Sequence, residues 1–213
     1  MDDSLRHRAR TVRAEIESGA LRGAPLLDLL LSIPFVERDV WVDELLGIEE
    51  LPEDVPDLPR ESVPYLPSGV EEILAAVRDV PITPEDDFVD LGSGLGRVVI
   101  LAHLLTGARA TGVELQEPLV RSATQRCVQL GLPDVSFVHA DATVADVDGL
   151  IFFLYAPFNG QMMVRALERL EVSARKKPIV VCAVGVEFPG VSWLQPRKPG
   201  SSPLLTVYDS RVG

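Results

Sequence analysis

The sequence is poor in cysteine and has no long apolar segment. Its two cysteines, Cys127 and Cys182, lie in apolar surroundings, so we expect two buried free thiols rather than a disulfide or a metal site. The longest apolar run, residues 150–157, is much shorter than the roughly 20 residues that span a bilayer. The first residues are charged, which predicts no secretory signal. A cytoplasmic protein without membrane contact is therefore expected.

Basic residues are also scarce. The chain has 20 Lys and Arg against 32 Asp and Glu, a net charge of −12. Nucleic-acid binding needs many basic side chains to neutralise phosphates, so a nucleic-acid partner is disfavoured. Arg6, Arg8, Arg10 and Arg13 are close together in the sequence. With acidic residues nearby, their spacing is typical of the solvent-facing side of a helix.

Three helices are indicated near the N-terminus, over residues 1–20, Ala24–Ile33 and Val36–Leu46. The segment that follows, residues 49–67, contains five prolines. So many prolines fit neither a helix nor the interior of a sheet, and this segment is predicted to be an extended connector.

The sequence thus predicts a helical N-terminal extension, residues 1–60, and a main domain, residues 61–213. The leucine-rich helices of the extension could cover the active site as a lid, form a homodimer contact or complete the core. We favour the lid.

The main domain alternates between short apolar strands and helices. Five strands are indicated, followed by two further apolar segments joined through a Pro/Gly/Ser-rich connector without a helix. The strands are predicted over residues 87–91, 108–115, 135–139, 150–155, 179–184, 191–195 and 204–208, and the helices over 70–80, 95–105, 118–130 and 161–170. The alternation predicts an α/β fold, a Rossmann-like and mostly parallel seven-stranded sheet with helices on both faces. The last two segments predict a C-terminal antiparallel hairpin.

A glycine-rich loop follows the first predicted strand. Gly92, Gly94 and Gly96 let the backbone turn tightly and approach a ligand, and the next helix presents its free N–H groups there. A dinucleotide-binding loop would need Gly or Ala at position 97, where Arg97 stands. Asp90, just before the glycines, would also repel a pyrophosphate. A nicotinamide-dependent oxidoreductase is therefore disfavoured.

Two acids end the first two predicted strands. Asp90 is placed to bond the ammonium of a cofactor's amino-acid part. Glu114 ends the second strand, about 20 residues beyond the glycine loop, where a carboxylate accepts hydrogen bonds from a ribose diol. Together the two acids favour a ligand that carries both an amino-acid group and a nucleoside.

This combination resembles the class I S-adenosylmethionine-dependent methyltransferases over about residues 63–213. The resemblance implies S-adenosylmethionine as the cofactor and S-adenosylhomocysteine as its product. It also implies roles for individual residues. The methionine part would contact Asp90, Gly92, Ser93 and Gly94, with Gly96 in the same loop, while Glu114 would hold the ribose, and Leu115, Asp141 and Ala142 the adenine.

Local similarity extends to the non-SET histone-lysine methyltransferases and their bacterial relatives. It rests on Tyr65 and Ser68 before a helix, followed by the glycine loop and Glu114. By this resemblance Tyr65 and Ser68 would contact the methionine part of the cofactor. Ser68 and Glu71 could instead form a capping box at the start of that helix. The acidic charge of the chain disfavours a nucleosome as substrate.

The residues after the fourth strand are candidates for the methyl-transfer site. Amino-group methyltransferases often have Asn or Asp followed by Pro-Pro-Tyr or Pro-Pro-Phe there. This sequence has Tyr155 in the first position and keeps the final Pro-Phe, which weakens the case for an amine acceptor. Tyr155, also near the cofactor, and Asn159 are the predicted catalytic residues.

The predicted function is transfer of the methyl group of S-adenosylmethionine to an oxygen or nitrogen of a small molecule or a protein side chain. His103 and His139 are expected to be structural rather than general bases, and no metal-ligand cluster is expected. The alternative is a binding module that retains the cofactor but lacks catalysis.

Overall fold

The computed structural model describes residues 3–49 and 52–211. In these two ranges the chain forms seven helices and seven strands. The helices are α1 (Asp3–Glu17), α2 (Gly23–Ser32), α3 (Phe35–Leu46), α4 (Val70–Asp79), α5 (Arg97–Thr106), α6 (Glu117–Leu130) and α7 (Gly160–Ala174). The strands are β1 (Asp87–Leu91), β2 (Arg109–Glu114), β3 (Val135–His139), β4 (Ile151–Tyr155), β5 (Val180–Val184), β6 (Leu194–Pro196) and β7 (Leu205–Ser210).

The strands form one sheet in the order β3-β2-β1-β4-β5-β7-β6. β1 to β5 are parallel, and β7 is antiparallel to both β5 and β6. The predicted seven-stranded α/β sheet with its C-terminal antiparallel hairpin is confirmed. Strand order reverses between β1 and β4, and ligands of such sheets bind beyond the carboxyl ends of the strands at that point.

The N-terminal helices pack on the same face of the sheet as α4 and α5. α2 contacts α5, α3 contacts α4, and α1 contacts α3 and α6. Ile16, Leu30 and Trp41 are fully buried in the apolar cluster that also contains Leu101 and Phe88. The N-terminal residues therefore share one core with the sheet. The division into residues 1–60 and 61–213 stays a prediction, and positions 1–2, 50–51 and 212–213 lie outside the described residues.

The other face of the sheet is covered by α7 and by the segment before β6. Leu154 of β4 packs in one cluster with Leu170 of α7 and with Phe188 and Trp193. Helix α7 continues to Ala174, beyond the expected end at residue 170, because its buried residues recur every four positions to that point. No helix in the described ranges is both long and apolar enough to cross a membrane.

One expectation near the C-terminal end needs adjustment. The sixth strand begins at Leu194 rather than at residue 191, because its pairing with β7 begins where Leu194 faces Ser210.

The arginines of α1 lie on its solvent-facing side, as expected. The side chains of Arg6 and Arg10 are 43% and 68% exposed, and they form surface ion pairs with the Glu44 carboxylate on α3, at 3.7 and 2.9 Å.

Candidate functional site

A cavity of about 290 Å³ opens at the carboxyl ends of β1, β2 and β4. Its walls come from these strand ends, from the connector before α4 and from the start of α7. It contains ten of the predicted site residues: Tyr65, Ser68, Asp90, Gly92, Ser93, Glu114, Leu115, Asp141, Ala142 and Tyr155. The structure thus brings together residues that are up to 90 positions apart, from 65 to 155.

The glycine loop is enclosed on two sides. Gly92 and Gly94 have φ angles of +87° and +52°, which residues with side chains rarely adopt. A Cβ atom on Gly92 would collide with Pro157, and one on Gly94 with the ring of Tyr65. Glycine is therefore required here both for the backbone turn and for the close contact with its neighbours.

Gly94 and Gly96 belong to the predicted cofactor loop, but neither is among the residues that line the cavity. A Cβ atom on Gly96 would meet Phe137 and Ala123. The contribution of Gly96 is to let α5 begin close to the sheet and to α6.

Glu114 is buried and fixed by the backbone. Its Oε2 accepts the Gly94 N–H at 2.8 Å, and its Oε1 accepts the Gln116 N–H at 2.8 Å. An ionised carboxylate has about four acceptor positions, so two remain for a ligand. The side chain is held rigidly at the edge of the cavity and can still accept a pair of hydroxyl donors.

Asp90 is 2% exposed and lies beside Glu114. Burial, and then the charge of Glu114, raise the pKa of Asp90 well above its ordinary value. Among the described residues no donor or cation offsets this burial. A buried carboxyl in this position favours a cationic ligand group, because a cation restores the stability of the ionised form.

Ser68 does not form the capping box that its spacing from Glu71 suggested. Helix α4 begins at Val70 with Gly69 as its N-cap and without a side-chain cap. The Val70 N–H donates instead to Oδ1 of Asp39, at 2.7 Å. The capping prediction is wrong because a carboxylate from α3 already satisfies this end of the helix.

Two buried hydroxyl groups in the cavity have no hydrogen-bond partner within the described chain. They belong to Ser68 and Ser93, which are 5% and 6% exposed. Buried polar atoms in native proteins are nearly always hydrogen-bonded. Their lack of partners in a cavity fits a site that a polar ligand completes.

The far end of the cavity contains Leu115, Asp141 and Ala142. Oδ1 of Asp141 accepts the Thr143 N–H at 2.8 Å, which fixes the carboxylate in a local turn. An apolar side chain beside an oriented carboxylate is suited to a flat, nitrogen-containing ring.

Arg97 lines the cavity but is fully engaged by the protein. Its Nη1 donates to the Ser68 carbonyl at 2.8 Å, and its Nε and Nη2 donate to the Asp43 carboxylate. Burial is the main cause that raises the pKa of Asp43, and the hydrogen bond and charge of Arg97 oppose it. The guanidinium occupies the helix start where a dinucleotide pyrophosphate would need close approach.

The loop after β4 forms the opposite wall. Tyr155, Ala156 and Phe158 line the cavity. Ala156 has a φ angle of +38°, unique among the described non-glycine residues, and such conformations cluster at functional sites. Asn159 is exposed just before α7 and is not among the lining residues.

Sequence reasoning missed Gln116 and its connector partners, Asp54 and Val55. Gln116 is 4% exposed and lines the cavity. Its Nε2 donates to Asp54 at 2.7 Å, its Oε1 accepts the Val55 N–H at 2.9 Å, and the same Asp54 oxygen accepts the Tyr65 N–H. Gln116 is about 60 residues from both Asp54 and Val55 in the sequence, so no local pattern indicates these contacts.

The cysteines lie in the core. Burial raises the pKa of Cys127 to about 11 and that of Cys182 to about 12, so both remain protonated thiols. In residues 3–49 and 52–211, no group of three or more His, Cys, Asp or Glu side chains is placed to hold a metal.

Two known protein groups resemble this chain. The family model for histone methylation protein DOT1 matches residues 67–131, which include α4, the glycine loop and β2. An RNA methyltransferase from Salinibacter ruber, solved with S-adenosyl-L-homocysteine, is 25% identical with a TM-score of 0.53, over 68% of this chain and 92% of its own. No curated protein sequence matches the chain.

The chain has the class I methyltransferase fold. More distant structures share it, with coverage of little more than half of their own lengths. MtNAS with S-adenosylmethionine is 14% identical with a TM-score of 0.53, over 65% of this chain and 60% of its own. The mitomycin 7-O-methyltransferase MmcR is 16% identical with a TM-score of 0.51, over 68% of this chain and 55% of its own. In the class I fold described here, the cavity lies at the reversal of strand order, beside the glycine loop.

Proposed function

We propose that the chain is an S-adenosylmethionine-dependent methyltransferase. The observation that carries the proposal is the pair of buried acids, Asp90 and Glu114, at the ends of adjacent strands around the glycine loop. This arrangement supplies a counter-charge for an ammonium group and acceptors for a ribose diol at neighbouring positions of one cavity. S-adenosylmethionine has both groups, and when bound it supplies an electrophilic methyl group.

We assign the cavity residues to the three parts of such a ligand. Asp90, Tyr65 and Ser68, together with Ser93 and the backbone of the glycine loop, would hold the methionine part. Glu114 would accept the ribose hydroxyls. Leu115, Asp141 and Ala142 would surround the adenine.

The chain's contribution to methyl transfer is chiefly positioning. An in-line displacement gains most of its rate when its reactants are held in contact and in line. Tyr155 lies at the end of β4 within the cavity, where we assign it to orienting the methyl acceptor. Asn159 lies outside the lining, so the proposal gives it no catalytic role.

The acceptor is a small molecule or a protein side chain. The Salinibacter ruber relative is named as an RNA methyltransferase, but this chain has 32 acidic against 20 basic residues. That balance opposes the phosphate neutralisation on which RNA binding depends. We therefore do not extend RNA, or the histone of the matched family model, to this chain.

Calorimetric titration tests the proposal. We expect S-adenosylhomocysteine to bind the full chain with one site, and NAD to give no binding heat. Binding of NAD without a response to S-adenosylhomocysteine would overturn the proposed function. Release of S-adenosylhomocysteine from S-adenosylmethionine in the presence of a methyl acceptor would then separate an enzyme from a binding module without catalysis.

A further inference from the structure

Four apolar side chains that line the cavity have no role in the proposed cofactor site. We call Leu58, Val63, Phe158 and Met162 the acceptor wall; they come from the connector, from the loop after β4 and from the start of α7. Phe158 follows Tyr155, where the methyl acceptor would be held, by three positions, and it packs with Met162 beside Ala142.

The polar groups behind the acceptor wall are bonded to one another. The Val63 N–H donates to the Pro157 carbonyl at 3.0 Å, and Ser62 and Phe158 form an antiparallel bridge. The Ser62 hydroxyl donates to Sδ of Met162 at 3.6 Å. These groups are thus already engaged within the protein, and the wall presents mainly apolar surface to a ligand.

The same loop pairing is fixed by Glu61. Its carbonyl accepts the Asn159 N–H at 2.9 Å, and its Oε2 accepts the Met162 N–H at 2.9 Å. The backbone N–H groups of Met162 and Gln161 lower the pKa of the Glu61 carboxyl, which is turned to the start of α7. Glu61 is not among the residues that line the cavity. It holds the wall together without adding a charge to it.

No free cation in the described lining faces the acceptor. The acids of the lining, Asp90, Glu114 and Asp141, are those we assign to the cofactor, and the guanidinium of Arg97 is paired with Asp43. Among the described lining residues there is no lysine or histidine. An anionic acceptor would lose its hydration without gaining a cationic partner, at a large cost in free energy.

The acceptor wall also lacks a general base. His103 bonds the Ala108 carbonyl, and His139 bonds the Leu115 carbonyl, each outside the lining. Burial raises the pKa of Tyr65 to about 12, so its hydroxyl stays protonated. Nothing on the acceptor wall can take a proton from an alcohol before methyl transfer.

We propose that the acceptor wall binds a small, uncharged, apolar heteroaromatic molecule whose nucleophile is a neutral ring nitrogen rather than an amino group. This inference rests on the proposed function. The nitrogen lone pair forms the new N–CH₃ bond as the S–CH₃ bond breaks, and the bonding pair passes to sulfur. The positive charge moves from sulfur to nitrogen, and no proton needs to be removed.

Three probes of matched bicyclic shape test the inference: isoquinoline, naphthol and naphthoate. Each is titrated by fluorescence into the full chain saturated with S-adenosylhomocysteine, at mildly basic pH. We expect isoquinoline to bind at least tenfold more tightly than naphthoate, about 1.4 kcal/mol. With S-adenosylmethionine present, we expect N-methylisoquinolinium to form together with S-adenosylhomocysteine, at least tenfold faster than any methylated naphthol.

A charge introduced into the wall provides a matched variant. Val63 is 38% exposed and lines the cavity, so Val63→Lys should fold and should gain naphthoate binding. The control is Val164→Lys, at an exposed position of α7 outside the lining. It should bind the three probes as the unaltered chain does.

The outcomes separate the two proposals. Failure of S-adenosylhomocysteine to bind would overturn the proposed function itself. If it binds, equal or tighter binding of naphthoate, faster methylation of naphthol, or failure of all three probes to bind would overturn only the acceptor class. Binding of isoquinoline without its methylation would overturn the assignment of this wall to a nitrogen acceptor.

Discussion

Arg97 and Asp43 form a bidentate ion pair between residues 54 positions apart. Nη2 of Arg97 donates to both carboxylate oxygens of Asp43, and Nη1 donates to the carbonyl of Ser68. The pair joins helix α3 to the start of α5 and to the connector above the cavity. The N-terminal helices thus support the glycine loop from outside, while the connector residues that line the cavity come from positions 58–68.

Asp43→Ala should destabilise the protein by about 3 kcal/mol, because it leaves the guanidinium of Arg97 buried without its partner. Urea denaturation measures this loss. Asp57→Ala, at an exposed position of the connector, is the control and should stay within about 0.5 kcal/mol of the unaltered chain. A loss no larger than that in Asp43→Ala would mean that the ion pair contributes nothing to folding.

Asp90→Asn should make the ligand-free protein more stable at neutral pH. Burial and the charge of Glu114 raise the pKa of Asp90 in the folded state. Below the pKa of Asp90 in the unfolded chain the carboxyl is protonated in both states and stability is retained. As pH rises from that value toward the folded-state pKa, ionisation favours the unfolded chain and stability is lost. Each unit of this shift corresponds to about 1.4 kcal/mol. Denaturation measured from mildly acidic to neutral pH should show that the unaltered protein loses stability as pH rises. In Asp90→Asn this loss should be smaller. The same variant should weaken S-adenosylhomocysteine binding. An identical pH dependence in both proteins would show that Asp90 is not the group responsible.

Gly94→Ala separates backbone strain from the contact with Tyr65. Gly19 has a φ angle of +76°, and no atom lies within 4 Å of the position that a Cβ would take there. A Cβ on Gly94, in contrast, would collide with the Tyr65 ring. Gly19→Ala should therefore cost only the strain of the backbone, about 1–2 kcal/mol. Gly94→Ala should cost more in thermal denaturation and should also weaken cofactor binding. Equal losses of stability and unchanged affinity would contradict the packing of Tyr65 on the loop.

Asp54→Ala should weaken S-adenosylhomocysteine binding although Asp54 is not among the lining residues. It removes the acceptor shared by the Tyr65 N–H and Gln116 Nε2, so both residues lose their fixed positions. Hydrogen bonds to a charged group contribute about 1.5–3 kcal/mol. Asp54→Asn retains an acceptor oxygen and should recover most of the affinity measured by calorimetry. Failure of the asparagine variant to do better than alanine would argue against this positioning role.

The sequence predicts those parts of the fold that depend on local pattern. Gly92, with Asp90 and Glu114 at two strand ends, predicts the part of the cavity that we assign to the cofactor, because parallel strands bring their carboxyl ends together. The pairing of Arg97 with Asp43 cannot be predicted in this way. It depends on how α3 packs against α4 and α5, which the helical periodicity of each segment does not determine.

Ser68 illustrates a further limit. Its spacing from Glu71 satisfied a capping pattern, yet Asp39 on another helix bonds the Val70 N–H. A local rule failed because a tertiary contact met the same requirement. The acceptor wall could not be predicted for a similar reason. Val63 and Phe158 become neighbours only because the connector pairs with the loop after β4.

The proposed function depends most on Glu114, which would hold the ribose of the cofactor. Calorimetric titration of S-adenosylhomocysteine into Glu114→Ala tests it most directly, with Glu117→Ala, an exposed position at the start of α6, as the control. We predict at least tenfold weaker binding to Glu114→Ala, about 1.4 kcal/mol, and unchanged binding to Glu117→Ala. Equal affinity of both variants and the unaltered chain would contradict the account.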